Sequence, residues 1–152
     1  MIKINVIVKE KSWLKFLKNP ETYLKRKLKK VQNDKLFKKK NYIFNLKLSG
    51  SREIKYLNKK FRKINKSTDI LSFPNQTKKN LSKLIKLNSE IHLGDIIINL
   101  KKIDTSSQIL FRSNFDELWI HGLVHLFGYD HVKDNSYKRM HLIEKKLQKK
   151  IN

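Results

Sequence analysis

His121-Gly122-Leu123-Val124-His125-Leu126-Phe127-Gly128-Tyr129-Asp130-His131 gathers three of the chain's five histidines into eleven residues. Side chains four apart share one face of a helix, so His121 and His125 can present ring nitrogens to a single point. Gly128 can end that helix in a left-handed conformation, and the turn beyond it brings His131 back toward the same point. Three imidazoles without a fourth protein ligand form the donor set of a catalytic zinc site with one open position. Imidazole also suits other transition metals, and zinc is the first choice among them. His92 and His141 lack this spacing and are read as structural.

Outward from this segment the pattern alternates between strand and helix periods. Asn114-Phe115-Asp116-Glu117 resembles a capping box and is expected to start the histidine helix, which runs to about Phe127. A last helix follows, with Tyr137, Met140, Ile143, Leu147 and Ile151 on one stripe. Upstream, Asp95-Ile96-Ile97-Ile98 reads as a buried strand, with Gly94-Asp95 at its start. Residues 75–89 are polar and Lys-rich and are expected to form a loop with a helical turn around 81–87. Asp69-Ile70-Leu71-Ser72-Phe73 is a short strand stopped by Pro74. Gly50-Ser51 opens a helix with Ile54, Leu57 and Phe61 on one face. Tyr42, Phe44, Leu46 and Leu48 alternate as a strand, as do Ile2, Ile4, Val6 and Val8. Between those two strands, Asn19-Pro20-Glu21 caps a helix carrying Leu24, Leu28 and Val31. The order βαβαββ followed by helices gives an α+β fold: a single mixed sheet of about four strands packed with about five helices.

At 152 residues, without repeats, linkers or compositional breaks, residues 1–152 are expected to form one domain. No cysteine is present, which excludes a disulfide partner and any thiolate chemistry. No stretch approaches the roughly 18 uninterrupted apolar residues of a membrane span, and Met1 to Val6 do not build a signal-peptide core. The expectation is a soluble, cytoplasmic protein. Lys and Arg total 36 against 13 Asp and Glu, a net charge of +23. That is the footprint of a polyanion binder, with RNA or DNA foremost. The competing reading is codon bias, because lysine greatly outnumbers arginine and alanine is absent.

The spacing His-x-x-x-His-x-x-Gly-x-x-His also occurs in a class of zinc proteases, where a glutamate after the first histidine serves as general base. Gly122 stands at that position and cannot take a proton, which disfavours peptide hydrolysis. The full segment instead resembles the His-Gly-x-x-His-Leu-x-Gly-Tyr-Asp-His motif of the YbeY-type endoribonucleases. The resemblance extends over residues 54–144. It includes Leu57-Asn58, Phe61-Arg62, Ser67-Thr68-Asp69-Ile70-Leu71-Ser72-Phe73-Pro74, Leu93-Gly94-Asp95-Ile96, and Met140 with Glu144. Val124 and Ile70 depart from the usual Leu and Val, and neither touches the expected ligands.

This resemblance implies a metal-dependent endoribonuclease that cleaves single-stranded RNA. Its implied role is rRNA maturation, notably of an rRNA precursor at the small-subunit 3′ end, and ribosome quality control. It implies one Zn2+ held by His121, His125 and His131, with Arg62 as a functional residue suited to clamping phosphate. Asp130 is left with two uses, orienting an imidazole or capping the turn. The rival readings are a ribosome-assembly or RNA-binding module with structural zinc and, third, a zinc peptidase.

Overall fold

The computed structural model describes residues 1–37, 40–87 and 90–152. One four-stranded sheet runs in the order β1 (Ile2–Val8), β2 (Asn41–Ser49), β4 (Glu90–Asn99), β3 (Ile70–Pro74). β1, β2 and β4 are parallel and β3 pairs antiparallel with β4, so the sheet is mixed as expected. Five α-helices accompany it among the described residues: α1 (Pro20–Val31), α2 (Ser51–Arg62), α3 (Lys78–Leu87), α4 (Gln108–Leu126) and α5 (Asp134–Ile151).

Strand alternation sends two sets of side chains to opposite faces. Ile2, Ile4, Tyr42, Phe44, Leu46, Leu48, Ile96 and Ile98 point into the main core with Leu24, Leu28, Phe111, Phe115, Trp119 and Leu123 of α1 and α4. The other face carries a small cluster in which Ile54 of α2 meets Leu71 and Ile97. α1 begins as the sequence indicates, with Asn19 Oδ1 accepting from the Thr22 amide at 3.0 Å and Pro20 at the first turn.

Five local expectations are corrected. α4 starts at Gln108, where Ser107 Oγ accepts from the Leu110 amide at 3.1 Å, and the Asn114 box lies inside the helix. Phe111, Phe115 and Trp119 form a fully buried stripe through the expected start, and their burial outweighs the local capping pattern. Within the box, Asp116 is buried, accepting from Tyr23 Oη and Trp119 Nε1 and pairing with Lys27 Nζ at 2.9 Å. The expected loop at 75–89 holds a ten-residue helix, α3, anchored by buried Leu81; Asn88 and Ser89 lie outside the described residues.

β4 begins at Glu90, so Gly94 is inside the strand and not at its start. Its φ of +137° and its approach to the Phe73 carbonyl leave no room for a Cβ. The β2–β4 register shifts beside it, between Ile43 and Asn45, which masks the strand's first half in the sequence. On α2 only Ile54 of the expected face is sealed; Leu57 is half-buried and Phe61 is 58% exposed. Of the α5 stripe, Met140, Leu147 and Ile151 are buried, whereas Tyr137 stands in solvent.

Candidate metal centre

α4 is the central helix of the main core, and in its last two turns only His121 and His125 are less than fully buried. Gly122 sets its height above the sheet. A Cβ there would meet Ile70 Cδ1 and Ile96 Cγ2 at 2.9 Å, so the helix rests directly on β3 and β4. The position that a zinc protease gives to its glutamate therefore faces the sheet.

The helix leaves His121 and His125 half-buried at the surface, and the chain turns at Gly128 with φ +79°. His131 comes back beside them. One nitrogen from each of His121, His125 and His131 lies within 4.8 Å of the others. The ring centroids are 4.5 Å, 5.7 Å and 5.1 Å apart for the pairs 121–125, 121–131 and 125–131.

The two helical imidazoles are held from behind. His121 Nδ1 is 2.7 Å from Glu144 Oε1 on α5, and His125 Nδ1 is 2.8 Å from the Tyr129 carbonyl. Both acceptors call for a proton on Nδ1, which leaves each Nε2 lone pair free. Those two Nε2 atoms are 3.0 Å apart. Two imidazoles on one tetrahedral zinc place their nitrogens about 3.3 Å apart, so donor type, tautomer and spacing all fit such an ion. Burial, then the neighbouring His121, lowers the His125 pKa and favours the neutral ring that a ligand needs.

Asp130 caps the turn: its Oδ1 accepts from the Val132 amide at 3.3 Å. Neither His92 nor His141 joins the cluster. His92 sits among Asn45 and Asn75 on the far side of the sheet, while His141 stacks on Tyr137. His141 also borders a cleft of about 470 Å³ with Asp69, Glu117, His121 and Glu144.

Arg62 lies outside the histidine cluster. It is exposed at the end of α2 and donates to the Ser72 carbonyl of β3 at 3.4 Å. The same short strand carries Ile70 against Gly122, so β3 is the strut between arginine and histidines. Lys63, in the left-handed region with φ 61°, ends α2 directly after Arg62. Asn58 Nδ2 then donates to the Lys66 carbonyl at 2.8 Å and folds the following loop back.

Two supports of the site escaped sequence reasoning. Glu144 was visible only as half of a Met-x-x-x-Glu spacing, with no hint that it backs His121. The Tyr129 carbonyl belongs to the backbone and has no side-chain signal at all.

The fold and site thus define an α+β protein with a three-histidine cluster that can bind a metal ion. The family model described as "Endoribonuclease YbeY" matches residues 7–152. An "Endoribonuclease YbeY" of Pelagibacter ubique is 36% identical over 143 residues, covering 92% of this chain and 90% of that protein. One from Buchnera aphidicola subsp. Schizaphis graminum is 36% identical over 157 residues, covering 99% and 92%. The solution structure of TM1509 from Thermotoga maritima superimposes with a TM-score of 0.56 at 27% identity, covering 99% of this chain and 89% of that one. The chain belongs to the endoribonuclease YbeY family.

Proposed function

We propose that this protein is a metal-dependent endoribonuclease that cuts single-stranded RNA, with Zn2+ held by His121, His125 and His131 and Arg62 as phosphate clamp. The observation that carries the reading is the pair of helical imidazoles whose Nδ1 atoms are occupied by Glu144 and Tyr129, their Nε2 atoms meeting at 3.0 Å beside His131. His121, His125 and His131 would hold the ion, and zinc bound there would supply Lewis acidity toward a phosphate oxygen and a lowered pKa for water.

The chain's own residues have separable tasks. Glu144 holds the His121 ring and its tautomer. The Gly128 turn presents His131. Arg62 offers a planar fork to a phosphate and offsets charge that grows during cleavage. The lysine-rich surface raises the local concentration of a polyanion. Unpaired RNA is the fitting substrate, because an exposed site must reach a backbone that a duplex holds in fixed helical shape.

Family membership supports a place in rRNA processing. The finer reading is trimming of an rRNA precursor at the small-subunit 3′ end and ribosome quality control in the cytoplasm, on or near the small subunit. No helix among the described residues is long and apolar enough to cross a membrane. A peptidase is disfavoured because Gly122 packs on Ile70 and Ile96. An RNA-binding module with structural zinc is disfavoured because the cluster found among the described residues offers three donors, whereas structural zinc sites close with four.

The deciding experiment is cleavage of labelled single-stranded and duplex RNA by zinc-loaded protein, with His125→Ala as control. Cutting of the single strand alone, lost in the control, is expected. Binding without turnover would favour the structural-zinc reading.

A further inference from the structure

The face of the sheet opposite α4 is only partly covered. Asn5, Asn45, Asp95 and Phe73 stand in one register row across all four strands. Asn5 Nδ2 donates to Asn45 Oδ1 at 3.0 Å, and Asn45 Nδ2 donates to Asp95 Oδ1 at 2.7 Å. Beside this polar row, Phe61 and Phe73 meet edge to face, their centroids 5.3 Å apart, and with Leu57 and Ile97 they wall a groove of about 480 Å³. Phe61 leaves 58% of its surface in solvent although it shares the helix face of buried Ile54.

Lys47 lines the groove but is held by Glu53 Oε1 at 3.0 Å, and further cations flank the aromatic wall from outside it. Lys60 Nζ lies 5.4 Å from the Phe61 ring centroid and 5.8 Å from that of Tyr56, which is also exposed. Arg62 follows Phe61, and its acceptor, the Ser72 carbonyl, precedes Phe73. Exposed aromatic rings interleaved with cations are the combination that binds unpaired nucleotides: bases stack on the rings while the cations follow the phosphates.

The floor adds a preference. One carboxylate oxygen of Asp95 receives the Asn45 amide, and an ionised carboxylate keeps further acceptor sites. Guanine offers two adjacent donors, N1–H and the N2 amino group. Uracil offers one donor flanked by two carbonyl oxygens, which a carboxylate repels.

We infer that this groove holds one unpaired base of the RNA, guanine in preference to uracil, stacked on Phe61 and hydrogen-bonded to Asp95, with the adjoining phosphate at Arg62. The inference deepens the endoribonuclease reading and rests on it. β3 then divides the substrate path, with base recognition on one side and the histidine centre on the other.

The test measures binding of 2′-O-methyl RNA hexamers to the zinc-loaded full chain by fluorescence anisotropy, with oligomer integrity checked by gel. A single G in a U tract should bind about fivefold tighter than the all-U oligomer. Asp95→Asn should bring that ratio near one without weakening all-U binding. Phe61→Leu, which keeps an apolar side chain but loses the stacking ring, should weaken both oligomers about fivefold at unchanged thermal stability. Equal binding of both oligomers to the unmodified chain, an undiminished ratio in Asp95→Asn, or full affinity in Phe61→Leu would overturn the inference and leave the groove to a protein segment. Base preference without cleavage of ordinary RNA would sink the nuclease reading alone; cleavage without base preference would sink only the groove.

Discussion

The two faces of the sheet solve burial in different ways. Beneath α1 and α4, Phe44, Leu46, Ile96 and Ile98 are sealed by apolar side chains, and the polar groups admitted there are paired, as Asp116 is with Tyr23, Trp119 and Lys27. Burial and the adjacent Asp116 carboxylate push the Tyr23 phenol upward, so it stays a donor. Across the sheet, Asn5, Asn45 and Asp95 bond to one another in the open, and α2 seals little beyond Ile54, Leu71 and Ile97. The closed face fixes the backbone that presents the histidines. The open face keeps hydrogen-bonding groups and aromatic rings accessible. A centre whose ligands must meet within a few tenths of an ångström belongs on the rigid side, and adaptable contacts with a flexible chain belong on the other.

The largest expected effect is on the metal. His121→Ala/His125→Ala should drop zinc from about one per chain to near none by elemental analysis, and abolish RNA cleavage. Full metal retention would remove the centre from the closed face altogether. Next in size is stability. Phe44→Ala on the sealed face should cost about 3–5 kcal/mol in urea unfolding. Ile7→Ala on the open face, where the side chain is already 45% exposed, should cost about 1 kcal/mol or less. Similar losses at both positions would mean that the faces do not differ as the burial pattern indicates.

The sequence revealed this contrast unevenly. Sealed positions were readable because their periodicity is unbroken: Tyr42 to Leu48 alternate, and Leu24, Leu28 and Val31 repeat with the helix. The histidine cluster is readable because its three imidazoles and its turn lie within one short segment. The start of α4 is not legible locally, because Asn114 and Glu117 make a good capping pattern, whereas the aromatic stripe that overrides it acts only through tertiary contact. The first half of β4 was hidden by Gly94, whose φ and close approach to Phe73 serve the sheet and carry no apolar signal. Phe61 looked like an ordinary core residue because periodicity reports a face without saying whether anything covers it. Glu144 lies 23 residues from His121, and only the packing of α5 on α4 joins them.

That junction gives the next effect. Glu144→Gln keeps the shape but replaces a charged acceptor with a neutral one, so His121 becomes a poorer donor. Zinc affinity, read by competition with a chromophoric chelator, should fall about 10- to 100-fold while the fold survives. Asn5→Ala, on the open face, should leave it unchanged. Equal affinities in the unmodified chain and Glu144→Gln would reduce Glu144 to a packing residue.

The smallest effect concerns a latch on the outside of the closed face. Asp34, just beyond α1, pairs with Lys146 and Lys150 of α5 at 2.8 Å and 2.7 Å and accepts from the Leu36 amide. Burial alone would raise its pKa, but the hydrogen bonds from the two lysines outweigh it and hold the carboxyl at about 2. In the unfolded chain an Asp titrates near 3.9, so the folded state favours the charged form. The stabilisation is therefore complete above about pH 4 and disappears as the pH falls toward 2. The displacement alone corresponds to roughly 2–3 kcal/mol, and the half-exposed lysines reduce the expected value to about 1 kcal/mol. Asp34→Asn should be less stable than the unmodified chain by that amount in urea unfolding at pH 6, with the gap closing near pH 2. The remaining carboxylates titrate in both proteins, so the difference between the two curves isolates the latch. A gap that persisted undiminished at pH 2 would assign the loss to packing at Asp34 and not to its charge.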